Sequence, residues 1–513
     1  MGLVQSCGRF KATFSGAISG DALRAKAMRG GVWLGTGSVA EQAVRFVRNM
    51  ILVRILAPGA FGTMAIVLSS ASLVDAFVDV GVRIAVIQSS EGGQKGYLNV
   101  AWWLGLARAL LSYTIIFAAA PWIASFYARP ELCPLLRVAL LSVVLNGLLS
   151  PRSALAQREM KLGKWSAISN GGAICGVLLT IALSFVMRSV WALAIGYCCE
   201  NGCRLVLSFI LCPGWPAFSI DWTAAKKLLT FSRDMFGLAI LNLIINRADI
   251  FVLGRLYPLA ALGLYTMAVG LVMTPSSFLS NLLAQTLFPA LSSIQNDDQR
   301  ANRILTEVSS WLFLGMPAMV FVCLSAPSLL KVIYGSRYAA AAGPLSVACA
   351  VVFFTVLNVG PSCVLFAKGL PAVHRHSVIA TAAAMLIAVY PASRFFGPIG
   401  AQYAALFASL VGYVFQLVSL HKVTKLSFVR YGKAFIGPVM GSALMLILVV
   451  ICRRLGLTTR PAIDTAVCAA SGLAAYTLCI FARSWTSPRG SASGVSGPAS
   501  LGFIDADREG VSR

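Results

Sequence analysis

Charged residues are scarce in this chain. Asp, Glu, Lys and Arg make up only 12% of its 513 residues, whereas a soluble domain carries about 25%. Hydrophobic residues reach 58%. A water-soluble core of this size could not bury so much apolar side-chain surface, but a lipid bilayer accommodates it. The composition therefore excludes an ordinary soluble protein and predicts one that lies almost entirely in a membrane.

Motifs of common enzyme and cofactor sites are also missing. No gap between apolar segments is long enough for a soluble catalytic domain, and no GxxxxGK[ST] run indicates a P-loop. The 13 Cys form no repeated CxxC pairs and mostly lie inside apolar runs, which is typical of buried small residues. The pair His374 and His376 is better explained as a solvated loop than as a metal site. We therefore expect no cofactor, no metal and no enzymatic activity.

Acidic residues are few beside basic ones. The chain has 42 Lys and Arg against 18 Asp and Glu, a net charge of +24. On a soluble chain this imbalance would suggest nucleic acid, but here the charges lie in short gaps between apolar runs. We therefore expect membrane lipids as partners, and no nucleic acid. Most Lys and Arg lie in gaps on the side of the N-terminus, which predicts an inner-membrane protein with both termini in the cytoplasm.

Long apolar runs dominate what is present. About fourteen runs of roughly 20 residues predict transmembrane helices, and their continuous rather than alternating pattern argues against a β-barrel. The first carries charged residues and lacks a cleavage site, so we expect an uncleaved span. The predicted spans are 32–54, 60–82, 97–119, 135–156, 166–187, 190–211, 235–256, 261–286, 308–330, 344–366, 377–394, 401–420, 435–452 and 463–483.

The fold class that follows is an all-α polytopic membrane protein of about 14 helices, with two pseudo-symmetric six-helix lobes and two C-terminal helices. The tail is rich in Ser, Gly and Pro and is expected to be disordered. The predicted segments are a cytoplasmic N-terminal segment (1–30), an N-lobe (31–211), a cytoplasmic linker (212–234), a C-lobe (235–420), helices 13 and 14 (421–484) and a disordered cytoplasmic tail (485–513).

An internal repeat supports the two lobes. With an offset of about 201 residues, the segment 54–62 (RILAPGAFG) matches 255–263 (RLYPLAALG), and Gly62 coincides with Gly263. Six spans separate the two copies, so both cross the membrane in the same direction. This predicts two parallel bundles related by an axis along the membrane normal.

The same offset aligns two polar stripes, Glu41–Arg45–Arg48 and Asn242–Asn246–Asp249. Each has i, i+4, i+7 spacing and therefore lies on one helix face. Ionised side chains are unfavourable in hydrocarbon, so such a face needs water or partners. We predict that it lines a hydrated cavity whose arginines bind phosphate through their planar forks. The alternative is a set of interhelical ion pairs or snorkelling side chains. The candidate substrate-binding residues are Glu41, Arg45, Arg48, Asn242, Asn246 and Arg247.

Carboxylates in the spans are candidates for ion coupling. Asp75 and Asp79 lie one turn apart in the second span, and Asp249 lies in the seventh. Stacked carboxylates in a low dielectric can carry protons or sodium. The alternative, which we prefer slightly for Asp75 and Asp79, is pairing with the arginines of the first span. Glu200 and Arg204 are expected to form a structural pair near the cytoplasmic end of span six, and Arg108 has no obvious local partner.

Several segments, in order, resemble a known family. The chain is similar to the polysaccharide-transport (Wzx-type) flippases of the multidrug/oligosaccharidyl-lipid/polysaccharide exporter superfamily, over roughly residues 30–450. The segments are 53–62 (VRILAPGAFG), 77–88 (FVDVGVRIAVIQ), 246–254 (NRADIFVLG), 261–265 (ALGLY), 288–292 (FPALS) and 333–338 (IYGSRY).

The resemblance implies twelve or fourteen helices in two lobes, alternating access, and transport of polyprenyl-pyrophosphate-linked oligosaccharides across the inner membrane for exopolysaccharide, capsule or O-antigen synthesis. Cationic cavity residues of the family match the chemistry predicted for Arg45, Arg48 and Arg247. A polysaccharide polymerase and chain-length or export proteins are the expected partners. The alternatives are a drug or metabolite exporter of the same superfamily, or a membrane glycosyltransferase or polymerase.

Overall fold

A computed structural model describes residues 22–78, 94–159, 161–217 and 221–455, together with isolated positions at 86, 467, 468, 470–472 and 477. Predictions for Asp79, most of the 463–483 span, the N-terminal segment before residue 22 and the tail lie outside these residues. The helices are α1 (Ala22–Ile55), α2 (Pro58–Val78), α3 (Lys95–Phe126), α4 (Leu132–Ala139), α5 (Leu141–Gly147), α6 (Arg152–Arg158), α7 (Leu162–Met187), α8 (Val190–Leu211), α9 (Trp222–Leu256), α10 (Leu259–Ser292), α11 (Asp298–Phe313), α12 (Met316–Ile333), a 3₁₀ helix (Ser336–Ala341), α13 (Ala342–Leu357), α14 (Val359–Ala367), α15 (Pro371–Phe396), α16 (Pro398–Thr424) and α17 (Phe428–Arg454).

The protein is all-α and polytopic. The described residues are 89% helical and contain no strands, because a helix satisfies its backbone hydrogen bonds internally where lipid offers no partners. Eleven helices, or twelve with one bent pair, are long and apolar enough to cross a membrane within the described part of the chain. The charged first span is not among them, yet it forms the long helix α1.

The fourth predicted span is bent rather than straight. The segments Leu132–Gly147 and Arg152–Arg158 meet at 61°. Pro151 follows Ser150, and a residue before proline avoids the α conformation. The freed Ser150 amide donates to Ser208 Oγ at 3.0 Å, while its hydroxyl donates to the Cys212 carbonyl at 2.6 Å. The polar groups of Ser150 at the break therefore find hydrogen-bond partners at the end of α8.

The two lobes share one packing scheme. In the N-lobe, α7 packs along α8 and against α1; in the C-lobe, α15 packs along α16 and against α9. The helix pairs α5–α8 and α13–α16 are further equivalent contacts. These matched neighbours confirm the pseudo-symmetric pair of bundles that the repeat predicted.

The lobes meet where α1 and α9 end and α2 and α10 begin, here called the crossing end. A Cβ added at Gly62 would overlap the Leu259 carbonyl, and one at Gly263 would overlap the Pro58 carbonyl. Only glycine permits this close backbone approach. The two residues are the pair that the repeat aligned, so the sequence repeat and the contact between lobes coincide.

One apolar core seals the crossing end and draws on both lobes. It includes Leu52 and Ile66 from the N-lobe and Leu253 and Tyr265 from the C-lobe, all nearly fully buried. Toward the opposite end the described residues form separate cores. One belongs to the C-lobe around Leu305, and another belongs mainly to the N-lobe around Leu98. The lobes are thus joined at one end of the bundle.

Candidate functional site

Arg45 lies at the centre of an ion network inside the N-lobe. Its Nε donates to Glu41 Oε1 at 2.9 Å on the same helix, and its Nη2 donates to Glu200 Oε1 at 2.5 Å on α8. Glu200 also accepts from Arg204 Nη2 at 2.8 Å, and its side chain is only 5% exposed. The predicted Glu200–Arg204 pair is confirmed, and Glu200 joins it to the Glu41–Arg45 pair in one chain.

The network lies deep in the bundle. Arg45 lies nearly three turns, roughly 15 Å, before the C-terminal end of α1. Glu200 lies nearly three turns, again roughly 15 Å, after the start of α8. A hydrocarbon layer is about 30 Å thick. Glu200 therefore lies near the middle of its span rather than near the predicted cytoplasmic end, and its burial is offset by two guanidinium partners.

Arg48 differs from its neighbour. Its Nε and Nη2 donate to Asn49 Oδ1 at 3.2 and 3.1 Å, and this acceptor is a neutral amide. No carboxylate in the described part of the chain lies within ion-pair distance of it. Arg45 and Glu200 are its electrostatic neighbours. Glu41 is paired with Arg45, and Glu200 is shared between Arg45 and Arg204. Among the residues that the structure describes, none therefore neutralises the positive charge of Arg48.

The polar residues of the seventh span differ in exposure to solvent. Asn242 and Asn246 are exposed, and the Asn246 amide donates to the Asn242 carbonyl at 2.7 Å one turn earlier. Arg247 is half-buried, with Asp249 as an electrostatic neighbour. The structure shows no hydrogen bond or ion pair, among the described residues, that joins these side chains of α9 to the α1 network.

Asp249 is held by the other helices of the C-lobe. Its Oδ2 accepts from the Tyr265 hydroxyl of α10 at 2.6 Å, and that hydroxyl accepts from Gln402 Nε2 of α16 at 2.5 Å. Tyr265 and Gln402 are each 1% exposed. The sequence indicated that Asp249 needs partners from elsewhere, and these are a buried hydroxyl and amide.

Asp75 requires a correction. We preferred pairing with the arginines of the first span, but its ion-pair partner in the described residues is Arg108 of α3, with Nη2 and Oδ1 3.7 Å apart. The reason is position: Asp75 lies in the last turn of α2, on the side of the lobe that α3 occupies, whereas Arg45 is occupied by Glu41 and Glu200. Arg108 thereby gains the partner that its own span lacked.

A cavity of about 410 Å³, lined by both polar and apolar groups, surrounds this pair inside the N-lobe. Helices α2, α3, α5 and α8 line it, and the segment between α5 and α6 at Pro151 forms part of its wall. Asn146, Tyr197 and Asn201 contribute further polar groups. Nothing in the sequence analysis singled out this cavity.

Comparison with known proteins identifies the family. The family described as "Polysaccharide biosynthesis protein" matches residues 51–343, more than half of the chain. The chain belongs to the polysaccharide biosynthesis protein family. This result agrees with the resemblance that the sequence motifs carried.

Two curated relatives of this chain have transport or biosynthesis names. It is 28% identical over 315 residues to the succinoglycan biosynthesis transport protein ExoT of Rhizobium meliloti, covering 60% of this chain and 62% of ExoT. It is 22% identical over 338 residues to the lipopolysaccharide biosynthesis protein WzxC of Escherichia coli, covering 64% and 67%. The matches thus span about two thirds of the length of these relatives.

Among solved structures, the polysaccharide biosynthesis protein resembles lipid II flippase MurJ in an inward closed conformation. The TM-score is 0.73 at 13% sequence identity, over 88% of this chain and 99% of that one. This likeness shows that the two share a fold. It agrees with the two-lobed, multi-pass architecture described above.

Two partners were missed from the sequence, and a signal existed for one of them. Glu200 is the only carboxylate of the sixth predicted span, and Arg108 is the only charged residue of the third. A lone ionised group in a span requires a partner on another helix. Arg108, alone in its span, therefore pointed to a carboxylate on another helix, whereas Glu200 already had Arg204 one turn away and gave no sign of its link to Arg45.

Proposed function

We propose that this protein is a flippase that moves polyprenyl-pyrophosphate-linked oligosaccharide across the inner membrane for polysaccharide synthesis. Family membership, the transport name of ExoT and the shared fold with a lipid II flippase support this proposal. The single observation that carries it is Arg48, an uncompensated guanidinium beside a neutralised ion network on a deep helix of a two-lobed bundle.

The chemistry of Arg48 suits a pyrophosphate. A guanidinium stays charged and offers paired N–H donors to phosphate oxygens. Its neutral contact with Asn49 can be exchanged for an anion without breaking an ion pair. The substrate headgroup would lie between the lobes while the polyprenyl tail stays in lipid. Arg247 is the candidate for a second contact from the C-lobe.

Alternating access would use the joined end described above. In this state the crossing end is sealed by the shared core, so a passage between the lobes would open toward the opposite end of the bundle. With the N-terminus in the cytoplasm, that opposite end is cytoplasmic, and the state is ready to accept substrate made inside the cell. Rocking of the lobes would open the crossing end to the periplasm.

The remaining assignments rest on the same proposal. The Glu41–Arg45–Glu200–Arg204 network would fix the shape of the N-lobe and hold Arg48 in place. Asn242 and Asn246 would offer polar contacts on α9. Ion coupling through Asp75, Asp79 or Asp249 stays a prediction, as do contacts with a polysaccharide polymerase and export proteins. No step in this scheme makes or breaks a covalent bond.

The test in cells is deletion of the gene followed by complementation. Loss of the flippase should abolish surface polysaccharide and accumulate the lipid-linked precursor on the cytoplasmic leaflet. Wild-type protein should restore export and Arg48→Gln should not, at equal protein level. Unchanged polysaccharide in the deletion strain, with altered resistance to cationic drugs instead, would favour the rival exporter of small molecules.

A further inference from the structure

We propose that the cavity of the N-lobe is a sugar-binding subsite that takes one part of the oligosaccharide headgroup. The inference rests on the flippase proposal and deepens it, because it assigns substrate recognition to a place separate from the Arg48 site. The volume of the cavity and the side chains that line it support this assignment.

The size of the cavity suits part of a glycan. Its volume of about 410 Å³ lies at the lower end of the range of roughly 300–1,000 Å³ for small-molecule sites. That space holds a sugar unit but not a whole oligosaccharide with its pyrophosphate. A headgroup bound at Arg48 could therefore extend only one of its sugars into the lobe.

The charged groups in the cavity form an ion pair whose two side chains are partly exposed. Arg108 and Asp75 are 3.7 Å apart, longer than a hydrogen bond, and their side chains are 26% and 39% exposed. Side by side they present fork donors and carboxylate acceptors with no net charge. Vicinal sugar hydroxyls can donate to the carboxylate and accept from the guanidinium at once.

An amide in the wall adds to this set. The Asn146 side chain is exposed, lines the cavity and makes no hydrogen bond to any described residue. Its carbonyl and amino groups supply both an acceptor and donors. Tyr197 and Asn201 continue the polar wall along α8. An acyl chain would bury these groups without partners, which is unfavourable, so the lining favours a polyhydroxylated ligand.

A rigid aromatic ring completes the wall. The indole of Trp102 is fixed because its Nε1 donates to the Leu149 carbonyl at 2.9 Å, and the neighbouring Trp103 ring packs against it edge-on at 5.0 Å. A fixed aromatic surface offers the C–H groups of a sugar ring a large contact area at low entropic cost. Planar polar groups and one aromatic ring in a single cavity are the elements that a sugar needs.

Gly105 provides a direct way to fill the cavity. It lines the wall, and a Cβ added there meets no atom within 4 Å. Gly105→Leu should therefore occupy the cavity without moving the backbone. Gly96→Leu is the matched control, since Gly96 lies on the same helix, also meets nothing within 4 Å and does not line the cavity. Both changes gain similar helix propensity.

The binding test uses purified protein in lipid nanodiscs. The probe is the oligosaccharide repeat unit released by mild acid from the lipid-linked precursor of the source cells. We expect saturable quenching of tryptophan fluorescence that disappears in Trp102→Phe. Gly105→Leu and Asn146→Leu should weaken the apparent affinity at least tenfold, and Gly96→Leu should not. An absent response, or one that Gly105→Leu shares, would overturn the proposal.

Translocation in proteoliposomes separates this site from the flippase function. Polyprenyl pyrophosphate carrying the full repeat unit and the same lipid carrying one sugar are compared. Gly105→Leu should slow the full repeat unit about tenfold more than the single sugar. Equal slowing of both substrates would overturn the subsite. A wild-type protein that binds the released sugar but moves neither lipid would contradict the flippase proposal alone.

Discussion

At the scale of single residues, Arg45 and Arg48 show how neighbours on one helix face acquire different roles. Arg45 is enclosed by two carboxylates, whereas Arg48 contacts only the amide of Asn49 among the described residues. From the sequence, both arginines were equal candidates for substrate binding. Their separation depends on Glu200, which comes from a helix more than 150 positions away in the sequence and which no local pattern connects to α1.

Replacing Arg48 tests its predicted contact with the pyrophosphate. Arg48→Gln removes a charge-assisted hydrogen bond worth about 1.5–3 kcal/mol, which corresponds to roughly a 10- to 100-fold loss in apparent affinity for the lipid-linked substrate. Arg48→Lys should recover part of it. The control is Arg54→Gln, an exposed residue at the end of α1. Equal apparent affinities for Arg48→Gln and the wild type would contradict the assignment.

Replacing Glu200 tests the structural role of the ion network. Glu200→Gln leaves Arg45 and Arg204 without their shared counter-charge, so we expect a loss of stability on the order of 3 kcal/mol. Thermal unfolding in detergent gives the measurement, and the exposed Glu131→Gln serves as control. The double variant Glu200→Gln with Arg45→Gln should regain part of the loss. If the two effects simply add, the ion pair does not contribute.

At the scale of the helix, the crossing of α2 and α10 depends on two glycines. Periodicity and the repeat predicted both helices, and the repeat aligned Gly62 with Gly263, but neither showed that the two backbones touch. That contact follows from the packing of the lobes. A glycine without a special backbone conformation gives no sign in the sequence of what lies opposite its missing Cβ.

Side chains at this crossing should prevent closure of the crossing end. Gly62→Leu would overlap the Leu259 carbonyl, whereas Gly59→Ala places its Cβ 3.8 Å from Leu259 Cβ, an ordinary contact. We expect Gly62→Leu to abolish transport and Gly59→Ala to retain it. In a background without native cysteines, Leu253→Cys tests the shared core with a water-soluble thiol reagent.

In that background the cysteine should react rapidly when Gly62→Leu is present and slowly when position 62 is glycine, since Leu253 is 1% exposed in the sealed core. A core that stays unreactive in the Gly62→Leu protein would show that the glycine contact does not control closure. Unfolding curves of the two proteins provide the control for general loss of structure.

The bent fourth span shows what periodicity leaves out. The apolar run 135–156 predicted one helix, but the structure has three short helices with a 61° bend. Pro151 indicated a break, whereas the direction of the bend depends on Ser208 and Cys212 of α8. The bend also forms part of the N-lobe cavity, so the sequence could not reveal the cavity either.

At the scale of the whole molecule, composition was sufficient for the fold class. Apolar runs of membrane length and the offset repeat predicted an all-α bundle with two related lobes, and the structure and its likeness to a lipid II flippase confirm it. Charge placement within the bundle was less predictable. Pairs such as Arg45–Glu200 and Asp75–Arg108 join different spans, and their geometry depends on helix packing that a single sequence does not encode locally.

The proposed flippase uses Arg48 on α1 of the N-lobe to carry a pyrophosphate-linked sugar across the membrane. The most direct measurement of this transport is leaflet translocation of polyprenyl-pyrophosphate-linked oligosaccharide in proteoliposomes containing only this protein. The account predicts movement by the wild type, a loss of roughly 10- to 100-fold with Arg48→Gln, and wild-type rates with Arg54→Gln. Translocation that is no faster than in protein-free vesicles, or that is unaffected by Arg48→Gln, would contradict it.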